Sequence, residues 1–179
     1  LRCDIPAMIH VSGSCNPHFH AVASHYINGD TTAFVQFMTS SIFEDFPELK
    51  FIIPHGGGAV PFHWGRYRGI AQDMGLADLE EKVLNNVYFD TCVYHQAGID
   101  LMLKVLPTKN VLFASETVGA VRGIDQRTGH FYDDTKRYIE ASSEVDEIGR
   151  QAIYSDNAFG VYKRLGPKLK AMRSNKTII

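Results

Sequence analysis

The chain has 179 residues, of which 45% are hydrophobic, 21% charged and 11% aromatic. Those proportions fit an ordinary globular domain and exclude a disordered tail, a collagen-like repeat and a coiled coil. Net charge is −2, from 18 Lys and Arg against 20 Asp and Glu, so no nucleic-acid partner is expected, and no apolar run suggests a membrane partner.

The opening Leu1 is not an initiator Met, and a strand pattern follows almost at once, as in a truncated or processed chain. Residues 7–12 (AMIHVS) read as the first buried strand, with His10 near its end. A polar loop, 13–25, carries His18, Phe19 and His20 in an HxH spacing that no strand anchors; loop histidines near a substrate mouth are the expectation there. Phe34, Phe37, Met38, Ile42, Phe43 and Phe46 then recur at helical spacing, with Asp30 placed as an N-cap and Pro47 near the end.

The second strand is 51–55 (FIIPH), and it runs into Gly56, Gly57 and Gly58. Three glycines here imply either unusual backbone angles or close approach of a ligand to the main chain. His55 with these glycines has the HGGG form of an esterase oxyanion hole, but no G-x-S-x-G elbow accompanies it. Nor is there a dinucleotide fingerprint, because position 61 is Pro. One or two helices are expected over 70–84, interrupted near Gly75. The third strand is 87–93 (VYFDTCV), followed by a helix carrying Ile99, Met102, Leu103 and Leu106 before Pro107. The fourth is 111–115 (VLFAS), with helices expected at 134–141 and 145–154. Lys163, Arg164, Lys168, Lys170, Arg173 and Lys176 give the last stretch a basic face that suits a solvated C-terminal helix. Cys3, Cys15 and Cys92 form no CxxC pair and leave one unmatched, which predicts reduced thiols in a cytoplasmic protein.

Strands alternating with helices define an α/β domain over 1–179 with a parallel sheet, either a small open sheet or half of a (β/α)8 barrel. In both, ligands meet the carboxyl ends of the strands. His10, His55 and Glu116 stand at or just beyond three of those ends, and Asp90, Thr91 and Cys92 at the other. A lone strand histidine is more often a satisfied core residue than a ligand. Their recurrence at one end of consecutive strands favours a catalytic site, and imidazole plus carboxylate suits Zn²⁺. Arg66 and Arg68, with Tyr26, Arg122 and Arg127 in other loops, are candidates to bind carboxylates.

Residues 51–69 (FIIPHGGGAVPFHWGRYRG) and 111–135 (VLFASETVGAVRGIDQRTGHFYDDT) resemble a hydratase group of the amidohydrolase superfamily, in the branch shared with metal-dependent decarboxylases of aromatic acids. Residues 154–162 (YSDNAFGVY) are similar to that branch's closing Asn-Ala helix. The resemblance implies a (β/α)8 TIM barrel with one zinc ion, of which this chain is the C-terminal half, strands five to eight. It further implies metal ligation by His10 and Glu116, catalysis by Glu116 and His55, and substrate binding by Tyr26, Arg66 and Gly58. The implied reaction is reversible addition of water to an unsaturated small tricarboxylate in aromatic catabolism, by a homo-oligomer. The family's first-strand HxH pair has no counterpart here. A decarboxylase of the same superfamily, which should prefer Asp at position 116, and a non-catalytic half-barrel are the rival expectations.

Overall fold

The computed structural model describes residues 2–20, 22–117 and 121–176. Four short strands, β1 (Ala7–Met8), β2 (Phe51–Ile53), β3 (Val87–Asp90) and β4 (Val111–Leu112), form one parallel sheet in the order β1-β2-β3-β4. Met8 lies opposite Ile52, Ile52 opposite Tyr88, and Phe89 opposite Val111. Spatial order equals chain order, so every crossover advances by a single strand, as in a (β/α) barrel.

Alternation along each strand divides the apolar residues between two faces. Ile53, Val87, Phe89 and Val111 pack under the crossover helices, against Phe34 and Met38 of α1 (Ser24–Thr39) and Tyr67 and Ala71 of α3 (Trp64–Asp73). Ile99, Met102 and Leu103 of α5 (Gln96–Val105) and Tyr138 and Ile139 of α6 (Thr135–Ala141) complete that core. Side chains of this size each stabilise the fold by about 1.5–3 kcal/mol relative to exposure. The other face carries a smaller cluster, Ile52, Leu112 and Val161, with Tyr88 and Ala158 against it.

Strand positions agree with the sequence pattern, but their carboxyl ends come earlier. Ladder pairing stops at Met8, Ile53, Asp90 and Leu112. The polar residues that follow leave sheet geometry, and His55 and Glu116 both take φ of 54°. The helix expected across residues 34–46 is two helices. It breaks at Ser40, which is extended (φ −99°, ψ 166°), and resumes as α2 (Ile42–Asp45), where Ser41 Oγ donates to Asp45 Oδ2 at 2.9 Å. The interruption near Gly75 is present and has a defined form. Gly75 takes φ +66°, its N–H donates to Gln72 O at 3.0 Å, and Leu76 N–H donates to Ala71 O at 2.9 Å, a Schellman closure of α3. Asp78 then caps α4 (Leu79–Lys82) by accepting from Glu80 N at 3.2 Å.

At the carboxyl end of the chain, α7 (Glu147–Gln151) passes through a π-helical turn, Ala152–Asp156, into α8 (Asn157–Val161) and then α9 (Leu165–Lys176). Asn157 Nδ2 donates to Thr108 O and Val111 O, each at 2.8 Å, and fastens this segment to the start of β4. All three cysteines are free. Among the described residues no helix is long and apolar enough to cross a membrane.

Candidate active site

Beyond the carboxyl ends of the strands lies a cleft of about 600 Å³. Its lining includes His10, Tyr26, His55, Gly58, Cys92, Tyr94, Glu116 and Arg122. A slightly larger hollow, about 690 Å³, lies beside the residues that precede β1 and is mostly apolar; it contains none of the residues singled out as a site.

The glycine turn after β2 shapes the middle of the cleft. Gly56, Gly57 and Gly58 take φ of 63°, 79° and 64°, a conformation that other L residues enter only with strain. The space beside them is filled by protein rather than left for a ligand. A Cβ on Gly57 would lie 2.5 Å from the Phe89 ring, one on Gly56 2.4 Å from Val93, and one on Gly58 2.5 Å from Ile27 O. Their amides are occupied as well: Gly56 N–H donates to Asp90 Oδ1 at 3.1 Å, Gly57 N–H to Pro54 O at 3.0 Å and Gly58 N–H to His55 O at 3.1 Å. Gly58 therefore contributes wall to the cleft, with its N–H already bonded to His55 O.

This turn presents His55, whose side chain is 11% exposed, between two carboxylates. Nδ1 lies 2.8 Å from Asp30 Oδ2, and Nε2 lies 3.8 Å from Glu116 Oε1. Burial alone would lower the imidazole pKa. The hydrogen bond to Asp30 and the charges of Asp30, Asp90 and Glu116 outweigh burial and raise it. With Asp30 as acceptor, the Nδ1–H tautomer leaves Nε2 for the cleft.

Asp30 corrects its assignment as a helix cap. Helix α1 begins at Ser24, so Asp30 sits mid-helix with zero exposure, and its Oδ1 has no hydrogen-bond partner among the described residues. Its spacing of four to Phe34 and Met38 was the available signal: an acid on the buried stripe of an apolar helix.

Glu116 is set by the junction of β3 and β4. Thr91 Oγ1 donates to Ala114 O at 2.8 Å and accepts from Ala114 N at 2.9 Å, while Thr135 Oγ1 donates to the same carbonyl at 2.8 Å. Two residues on, Glu116 Oε2 accepts a hydrogen bond from the Tyr94 hydroxyl. Burial, then the hydrogen bond to Glu116, push the Tyr94 phenol pKa up. Asp90 is 4% exposed; burial raises its carboxyl pKa despite the amides of Cys92 and Gly56 that donate to it. Burial, then the charge of Asp90, push the Cys92 thiol pKa up, away from thiolate character.

His10 extends from the loop after β1. Its ring centroid lies 5.2 Å from that of His55 and 5.5 Å from that of Tyr26, and Tyr26 lies 5.8 Å from His55. The fold thus brings His10, Tyr26, His55, Gly58 and Glu116 to one cleft. Arg66 does not join them; it is exposed on α3 and absent from the cleft lining. Arg122 is among the residues that line the cleft. Tyr67, next to Arg66 on α3, is a core residue whose ring lies tilted 5.6 Å from that of Phe34, and Arg127 lies 3.8 Å from Asp125. His18 and His20 are exposed and outside the lining.

His10 and Glu116 are chemically suited to zinc, but a catalytic zinc site takes about three protein ligands. Among the described residues no group of three or more His, Cys, Asp or Glu side chains is placed to hold a metal ion. The donors fit in kind and fall short in number.

A parallel sheet with crossover helices, and a cleft at its carboxyl end that gathers imidazole, phenol and carboxylate groups, defines a barrel-type α/β enzyme scaffold. Residues 2–164 match the amidohydrolase family model, and the chain belongs to that family. It is 57% identical over 171 residues to 2-keto-4-carboxy-3-hexenedioate hydratase from Sphingobium sp., covering 96% of this chain and 50% of that protein. The crystal structure of 4-oxalomesaconate hydratase from Rhodopseudomonas palustris superposes with a TM-score of 0.90 at 58% identity, covering 98% of this chain and 50% of that one. The 5-carboxyvanillate decarboxylase of Sphingomonas paucimobilis shares the fold, with a TM-score of 0.63 at 21% identity over 90% of this chain and 50% of its own. The chain spans about half the length of these relatives, and the expected half-barrel stands.

Proposed function

We propose that this chain forms the C-terminal half of a hydratase that adds water reversibly to 4-oxalomesaconate in aromatic catabolism. The observation that carries the proposal is the row Asp30, His55, Glu116, with the last two 3.8 Å apart at the wall of one cleft. Glu116 takes the proton of the attacking water and returns a proton to carbon, and a positioned base of this kind contributes about 10²–10⁴-fold. His55, oriented by Asp30, polarises or protonates a substrate oxygen through Nε2. Tyr26 and Arg122 hold substrate carboxylates, and the Gly58 turn walls the pocket.

His10 and Glu116 are the residues of this chain that would hold a zinc ion. Bound there, it would supply Lewis acidity, lowering the pKa of water from 15.7 to about 7. The three free cysteines are in keeping with a cytoplasmic setting.

The test is Glu116→Gln in the assembled enzyme, with hydration and CO₂ release followed together. Turnover should fall by about 10²-fold or more with the fold intact. Unchanged turnover, or CO₂ release in place of water addition, removes the assignment.

A further inference from the structure

The acid/base pair is gripped from two ends, and only one grip belongs to the row described above. Tyr94 lies between the exit of β3 and the start of α5, at a position the strand and helix patterns do not mark. Its hydroxyl donates to Glu116 Oε2, while Glu116 Oε1 is the oxygen that faces His55 Nε2. We infer that Tyr94 is a positioning residue that clamps one oxygen of Glu116 and so reserves the other for the reaction.

The chemistry of a carboxylate makes this selective. Its two oxygens are equivalent until something distinguishes them, and each accepts about two hydrogen bonds. A phenol fixed on Oε2 stabilises charge there and leaves Oε1 as the site that accepts a proton. The same bond restrains a flexible, 23% exposed side chain whose free rotamers would otherwise dilute the productive one.

Tyr94 is itself held. Its carbonyl accepts from Tyr138 Oη at 3.1 Å, and Tyr138, 5% exposed, accepts from Arg137 Nη2 at 2.6 Å. Two residues on, Gln96 Nε2 donates to Tyr138 O at 2.8 Å. Helix α6 thereby ties down the backbone on which the phenol stands. These contacts make the clamp a rigid part of the scaffold instead of a chance meeting of two surface groups.

The inference rests on the hydratase assignment, and its test separates the two. In the assembled enzyme, Tyr94→Phe should lower kcat about 10- to 100-fold, the worth of a hydrogen bond to a charged group, with KM changed less than about twofold. In the 179-residue chain alone, the hydrogen-bonded phenol proton should give a downfield NMR resonance. That resonance should vanish in Tyr94→Phe and move upfield in Glu116→Gln. A rise in KM with kcat unchanged, a lower melting temperature with both constants unchanged, or a resonance indifferent to Glu116→Gln overturns the inference. Should Tyr94→Phe fail to fold, 3-fluorotyrosine at position 94 keeps the hydroxyl and must shift the resonance; an unmoved signal overturns it equally. Water addition absent from the wild-type assembly, with the resonance responding as stated, sinks the hydratase assignment and leaves the clamp in place.

Discussion

Asp30 shows how one side chain changes meaning with its surroundings. An Asp just ahead of an apolar periodic run looks like a cap, because a short acceptor there satisfies orphan amides. Inside α1 it has no such amide to serve, and its zero exposure is compensated only by the 2.8 Å contact to His55. Asp30→Asn keeps the size but removes the charge and offers the amide group to Nδ1. We expect the imidazole to change tautomer, visible in its ¹⁵N shifts, and turnover to drop by about 10²-fold or more. An unchanged ¹⁵N spectrum would show that Asp30 does not set the ring. His10, His55 and Glu116 were legible because strand ends point to one rim of a parallel sheet. Tyr94 was not, because a loop tyrosine has no spacing that marks it.

The elements repeat the lesson at a larger scale. Apolar runs located all four strands and most helices, since burial against a core imposes periodicity. They did not locate the strand ends, where the run continues into residues with positive φ, nor the break at Ser40, whose Oγ accepts from Ile42 N. The glycine turn is the most constrained element. Gly57→Ala would combine a left-handed alanine with a contact 2.5 Å from Phe89. A loss of about 3 kcal/mol is expected from those two effects, measured by urea unfolding. Stability equal to the wild type would mean that the turn relaxes freely. Farther along, Asp125 Oδ1 accepts from Arg127 N at 2.9 Å and Oδ2 from Thr128 Oγ1 at 3.2 Å, in the loop where Ile124 bridges Phe131. The Arg127 amide bond, reinforced by Thr128 and the Arg127 charge, holds the Asp125 pKa below its ordinary value. Its support of this loop should therefore be complete above the ordinary Asp value of about 3.9 and fade as pH falls through the lower folded value. Amide exchange of Arg127 against pH reads this directly, and Asp125→Asn should flatten the profile.

Taken whole, the molecule is a four-strand parallel arc with unequal faces. Strand order and the run of matched motifs made the half-barrel legible, whereas the thin second face was not, since near-continuous apolar strands suggest equal cover on both sides. Among the described residues, β1 pairs with β2 alone and β4 with β3 alone. Both residues of β1 are exposed, and Met8 is 49% exposed. Free strand edges with apolar side chains recruit other strands. The isolated chain should therefore self-associate, with a concentration-dependent mass in sedimentation, and a strictly monomeric particle up to high concentration would contradict this.

The short pairing of β1 has an effect on chemistry too. His10 follows a strand steadied from one side, while His55, Tyr94 and Glu116 hang from members with companions or firm struts. Its aim within this chain rests on edge contacts with the rings of Tyr26 and His55. With that strand loosened, the imidazole should lose its bearing before the core melts, while the fold persists beneath it.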